Sequence, residues 1–147
     1  MAHTCVEVAA VPEAVFDVLL DPRTYPSWLV GADEIRAVDD AWPQPGARFH
    51  HTVGIWPVHI HDRTELVAID RPRMLRLSVR ATALVRATVT ITVRGDERSS
   101  IVCMEEEPAH RVIGRVVRPV LDPATHLRNH ASLRRLAALV QERTSAV

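Results

Sequence analysis

The residues best suited to chemistry cluster around one hairpin. Arg48 to Val53 and Val58 to Ile69 read as strands joined through Gly54-Ile55-Trp56-Pro57. A turn there sets Val53 opposite Val58, His51 opposite Ile60 and Phe49 opposite Asp62. The inner face then carries Phe49, His51, Val53, Val58, Ile60, Asp62, Thr64 and Leu66, and the outer face Arg48, His50, Thr52, His59, His61 and Arg63. A one-residue slip would invert a strand's faces. An inward His and Asp are expensive without partners, because desolvating a polar group costs several kcal/mol. His51 and Asp62 are therefore candidates to orient a polar ligand group, or to act as general acid and base in a cyclisation or dehydration. The more ordinary reading has them bond each other, or His126 and Asn129, as structural polar groups.

A second set is the histidine cluster. His59 and His61 point the same way along one strand, with His50 or His51 on its neighbour. Three imidazoles on one face have the makings of a zinc site with an open position. Arg48 and Arg63 share that outer face and disfavour a cation, so a solvated polar face is the expectation and no metal is assigned.

Glu105-Glu106-Glu107 ends a strand, and parity with Ile101 and Cys103 turns Glu105 inward. The same parity puts Cys103 inside and Cys5 outside, so the two cysteines are read as free thiols and a disulfide between them is not expected. Trp28, just after the short helices, and Trp56, at a turn, would frame a cavity mouth. There is no glycine-rich phosphate loop, nucleophile elbow, paired CxxC or HExxH, so no cofactor is expected.

Several elements must position these residues. His3 to Ala9 alternates, with Val6 and Val8 on one face and Cys5 and Glu7 on the other. Pro12 to Leu20 reads as a short helix stopped by Asp21-Pro22, and Pro22 to Trp28 as a second. Strands follow at Glu34 to Asp40, at the hairpin, at Met74 to Arg80, at Val85 to Arg94 and at Ser99 to Glu107. Short turns between consecutive strands predict an antiparallel meander. Its covered face needs a partner. Pro119 to Arg143 supplies one, a helix with Pro119 in its first turn and Leu133, Leu136, Ala137 and Val140 in one stripe. Followed backwards, that stripe reaches Asn129 and His126, so the helix face is apolar at one end and polar at the other.

A chain of 147 residues favours one domain and needs no metal or disulfide to fold. All 18 basic residues are arginine and are balanced by 18 acids. That argues against a general nucleic-acid binder. No 18-residue apolar run or signal-peptide pattern occurs, so a cytoplasmic protein without stable membrane insertion is expected.

The segments Val11 to Pro22, Tyr25-Pro26-Ser27-Trp28, Pro45 to His51, Arg71 to Leu75 and Arg128 to Leu136 together resemble the START/SRPBCC superfamily, in its polyketide cyclase/dehydrase-like branch. The resemblance spans nearly the whole chain. It implies an α+β helix-grip fold of the birch-pollen allergen type, with a seven-stranded curved sheet around a long C-terminal helix and a cavity between them. Its members bind lipids, sterols, polyketides or hormones, and a minority are enzymes, so fold alone does not assign activity. The expected ligand-binding residues are Trp28, Phe49, His51, Asp62, Thr64, Leu77, Ile91, Glu105, His126, Asn129 and Leu133. The leading expectation is a monomer or weak homodimer that carries a hydrophobic small molecule. The alternatives are a cofactor-free polyketide cyclase, aromatase or dehydratase and, on the same fold, a co-chaperone or toxin-like module that binds a partner protein.

Overall fold

The computed structural model describes the backbone of residues 2–55, 58–80, 86–108 and 111–145, and the side chains of 3–52, 61–80, 86–108 and 125–145. Strand β1 (Ala2–Val8) leads into helix α1 (Pro12–Leu19), a 3-10 turn (Pro22–Thr24) and helix α2 (Tyr25–Trp28). Strands β2 (Ala32–Val38), β3 (Arg48–Ile55), β4 (Val58–Asp70), β5 (Met74–Arg80), β6 (Arg86–Gly95) and β7 (Ser100–Pro108) precede helix α3 (Arg111–Ser145).

The strands form one seven-stranded sheet in the order β1-β7-β6-β5-β4-β3-β2. Every pairing is antiparallel. β2 to β7 are thus the expected meander, and β1 closes onto its last strand. Register shifts near Ala32–Glu34, Ile35–Ala37 and Leu66–Ala68 interrupt the pairing of β2 with β3 and of β4 with β5. Such irregularities bend strands and deepen their twist. This is the helix-grip fold anticipated from the sequence.

The short helices are locally encoded. Pro12 opens α1, where a missing N–H costs nothing, and Glu13 lies beside the positive end of its dipole. Val15, Phe16, Val18 and Leu19 make its buried face. The Asp21 carboxylate accepts from the Arg23 N–H at 3.1 Å and starts the 3-10 turn. Gly31, at φ 95°, releases the chain into β2 from the left-handed region that glycine enters without penalty.

α3 is longer than the stripe predicted. It begins at Arg111, eight residues before Pro119, so Pro119 and Pro123 both lie inside it. Proline removes one donor and crowds one carbonyl, a cost a long helix docked on a sheet can absorb. The stripe itself is as expected, with Leu133, Leu136, Ala137 and Val140 all buried. They meet Val8, Leu66, Leu75, Ile91, Val102 and Met104 from the sheet and Phe16 and Leu19 from α1 in one core. Gln141 ties α3 to the end of β1, its Oε1 accepting from the Ala9 N–H at 2.9 Å.

Two expectations about facing are corrected. Buried Ser100, Val102 and Met104 set the inward parity of β7, so Ile101, Cys103 and Glu105 belong to the other face. Ile101 is 54% exposed. The apolar character of Ile101 and Cys103 was a misleading anchor, because Val102 and Met104 are as apolar and their burial decides. Cys5 pairs directly with Cys103, and opposed residues of an antiparallel pair share a face. The two are joined in a disulfide, contrary to the free thiols expected.

Candidate functional site

The hairpin register differs from the predicted one by two residues. β3 continues through Ile55, which pairs with Val58, so His51 faces Asp62 and Phe49 faces Thr64. An even shift preserves the faces. His51 and Thr64 remain inward and are 5% and 3% exposed.

Between the sheet, α2 and α3 lies a cavity of about 230 Å³. Its apolar wall includes Trp28, Ile35, Phe49, Leu77, Val89, Ile91 and Met104. An aromatic cluster braces one side. Tyr25 stands edge-on to Trp28 and to Phe49, with ring centroids 4.9 and 5.2 Å apart, and Trp42 meets Phe49 at 5.3 Å. Their polar atoms are tied down. The Tyr25 hydroxyl donates to the Leu19 carbonyl at 2.7 Å, Trp28 Nε1 to Thr24 Oγ1 at 3.2 Å and Trp42 Nε1 to the Leu20 carbonyl at 2.7 Å. Burial, with the Asp21 charge nearby, holds the Tyr25 phenol far above its ordinary range. Tyr25 is therefore a fixed neutral wall and no proton donor at physiological pH.

Two polar poles interrupt the apolar wall. The first is His51, whose Nε2 lies 3.0 Å from Thr64 Oγ1. Desolvation lowers the His51 pKa, and Arg36 and His50 push the same way, against a hydrogen bond with the Arg63 backbone and the Asp62 charge. The imidazole is consequently neutral at pH 7, with one nitrogen a donor and the other an acceptor. The second pole is Asn129, which is 1% exposed. Its Nδ2 donates to Glu106 Oε2 at 3.1 Å, and Arg128 forms an ion pair with the same carboxylate.

The structure brings Trp28, Phe49, His51, Thr64, Leu77, Ile91 and Asn129 together around this space and leaves four expected residues outside it. Asp62 Oδ1 accepts from the Arg63 N–H at 2.9 Å and lies 3.7 Å from Arg80 Nε, so it acts on His51 only through its charge. Glu105 lies on the opposite sheet face, against His3. His126 is exposed and bonds Thr4 of β1 at 3.1 Å, away from the cavity lining. Leu133 is wholly buried in the core below the cavity lining. Trp28 is buried in the wall at 1% exposure and does not sit at a rim, and Trp56 lies outside the described residues.

Glu106 and Arg128 were missed. Parity counted from Val102 and Met104 would have given Glu106. Arg128 carries no periodic signal, because it neighbours the stripe without belonging to it. In the histidine cluster, His50 faces Arg63 and His61 faces Thr52, so neither opposes the other; the side chain of His59 lies outside the described residues. A larger groove of about 890 Å³ runs between the start of α1 and the β6–β7 turn. Glu13, Arg73, Arg94, Asp96, Glu97 and Arg98 line it and are exposed, so it lacks the desolvated wall of the inner cavity. Among the described residues no helix is long and apolar enough to cross a membrane.

Residues 2–141 match the family model described as polyketide cyclase / dehydrase and lipid transport. Among solved structures, an aromatase/cyclase from a Streptomyces species is 16% identical with a TM-score of 0.73, over 97% of this chain and 94% of that one. A point mutant of norcoclaurine synthase from Thalictrum flavum, in complex with a transition-state analogue, is 17% identical with a TM-score of 0.69, over 97% and 94%. A Staphylococcus aureus protein of unknown function is 8% identical with a TM-score of 0.71, over 97% and 96%. At these identities the likeness establishes the fold. No curated protein matches the chain.

Proposed function

The chain belongs to the polyketide cyclase/dehydrase and lipid transport family, and on that premise we propose that it binds a compact hydrophobic molecule bearing a polar group, polyketide-like or lipid-like, in the inner cavity. The observation that carries this is the pairing of an apolar wall with a buried neutral imidazole. Apolar contact contributes roughly 25 cal/mol per Å² removed from water. The His51–Thr64 pole then orients a hydroxyl or carbonyl, and the Asn129–Glu106–Arg128 pole receives a second polar substituent. At about 230 Å³ the space is below the roughly 300–1,000 Å³ of drug-sized pockets. A small ring system or short chain suits it better than a long acyl tail.

A second reading, polyketide cyclase, aromatase or dehydratase, is favoured by the lowered pKa of His51. A neutral imidazole beside a bound ketide is a competent base. His51 would carry the proton in this reading without Asp62, which does not line the cavity.

Native mass spectrometry of the purified chain, repeated after denaturation, tests binding. The expected result is a small-molecule adduct lost on unfolding, or one-to-one saturation by naphthol that quenches tryptophan emission through Trp28. A bare chain that also fails to saturate with naphthol would overturn the reading. Turnover of a linear poly-β-ketone mimic, abolished by His51→Ala, separates the enzyme from the carrier.

A further inference from the structure

The outer face of β1 and β7, across the sheet from the cavity, carries a second group of reactive side chains. Cys5 and Cys103 oppose each other and are joined as a disulfide. His3 lies two residues before Cys5 on the same face. Its Nε2 is 3.2 Å from Cys5 Sγ, while its Nδ1 is 2.9 Å from Glu105 Oε1. The candidate ligand atoms of His3, Cys5 and Cys103 all lie within 4.8 Å of one another. His3 and Cys5 are exposed and Cys103 is half-buried, so solvent and small reductants reach the group.

In the oxidised state these atoms cannot hold a metal well, because the ligand form of cysteine is the thiolate. Reduction changes the donor set to two sulfurs and one imidazole nitrogen. Such soft, mixed donors suit zinc, with Zn–S near 2.3 Å and Zn–N near 2.0–2.1 Å, and leave a fourth position for water. Glu105 has the arrangement found behind metal-ligating histidines. A carboxylate that accepts from Nδ1–H fixes the tautomer whose Nε2 lone pair faces the ion. Here that Nε2 already faces the sulfur pair.

We propose that His3, Cys5 and Cys103 form a redox-gated zinc site, with Glu105 as the positioning residue of the imidazole. A dithiol reductant supplies two electrons and two protons. The Cys5–Cys103 bond breaks to give two thiols, and the reductant becomes its own disulfide. Zinc then binds both sulfurs and His3 Nε2, and the two thiol protons pass to solvent. The site is independent of the cavity, since the sheet separates them.

The untagged chain, reduced with a phosphine and freed of it without air, is titrated with Zn²⁺ against a chromophoric chelator, and with Co²⁺ as a spectroscopic probe. One equivalent should bind to the reduced chain and none to the oxidised chain, with thiolate-to-cobalt charge-transfer absorption. His3→Ala should weaken zinc binding at least about tenfold, and Glu105→Gln about tenfold, as for other residues that orient a ligand. Equal zinc binding by oxidised and reduced chains, or unchanged affinity in His3→Ala, would overturn the proposal. Where reduction loosens the β1–β7 pair, zinc should restore the near-ultraviolet circular dichroism of the parent chain and not of His3→Ala. Failure to restore it would also overturn the proposal.

Discussion

His51 and Thr64 are diagonal neighbours across β3 and β4. His51 faces Asp62 in the register and Thr64 faces Phe49, yet His51 Nε2 reaches Thr64 Oγ1 at 3.0 Å. The reach of the imidazole makes the diagonal contact, leaving Asp62 to the Arg63 backbone and Arg80. Thr64→Val keeps the shape and removes the partner. A buried polar group left unpaired costs about 1–3 kcal/mol, and urea denaturation should show a loss of that size. Replacing both, as His51→Leu with Thr64→Val, should recover most of it. Losses that simply add would reject the pairing.

The pH dependence of stability follows from the lowered His51 pKa. Its folded value lies below its unfolded value near 6.5. As pH falls through 6.5 the unfolded chain takes up this proton first, so stability declines until the folded pKa is passed and then levels off. Above about pH 7 the group contributes no slope. Melting temperatures between pH 7.5 and 5, compared with those of His51→Gln, should show a shallower acid-side decline in the variant. Parallel curves would contradict a buried neutral His51.

Val89 lines the cavity and is only partly buried. Val89→Phe should fill the space and weaken naphthol binding at least tenfold, without the roughly 1–3 kcal/mol penalty of overpacking a dense core. Leu133→Ala, beneath the lining, should instead cost about 2–5 kcal/mol. Isothermal titration and chemical denaturation of both variants separate a ligand space from ordinary core. Unchanged affinity in Val89→Phe would place the ligand elsewhere.

The Cys5–Cys103 bond joins residues 98 apart in sequence. Closing a loop of that length stabilises by up to about 4.7 kcal/mol in the chain-entropy account. Calorimetry with and without a phosphine reductant should therefore show a fall in Tm of roughly 10 °C. A fall below about 2 °C would contradict the chain-entropy account of this disulfide.

Much of this molecule was legible because its signals are periodic. The alternation in β5 and β6, the stripe Leu133, Leu136, Ala137 and Val140, and the Pro12 and Asp21 starts each depend on a few neighbouring residues. Those local patterns were enough for an antiparallel meander covered by the C-terminal helix and for the inward direction of His51, Thr64 and Asn129, while the helix-grip fold was implied by the family resemblance. The tertiary structure decided what depends on which strand meets which, and at what register. Glu106 and not Glu105 faces the cavity because β7 has two plausible apolar parities and only packing against α3 and β6 selects one. Cys5 meets Cys103 because β1 closes beside β7, a pairing between the first and last strands of the chain that no local spacing encodes. Asp62 is drawn to Arg63 and Arg80, and His126 to Thr4, by partners distant in sequence or reached only through the backbone. Periodicity reports which way a side chain points, whereas its partner is settled by the free energy of bringing separate elements together.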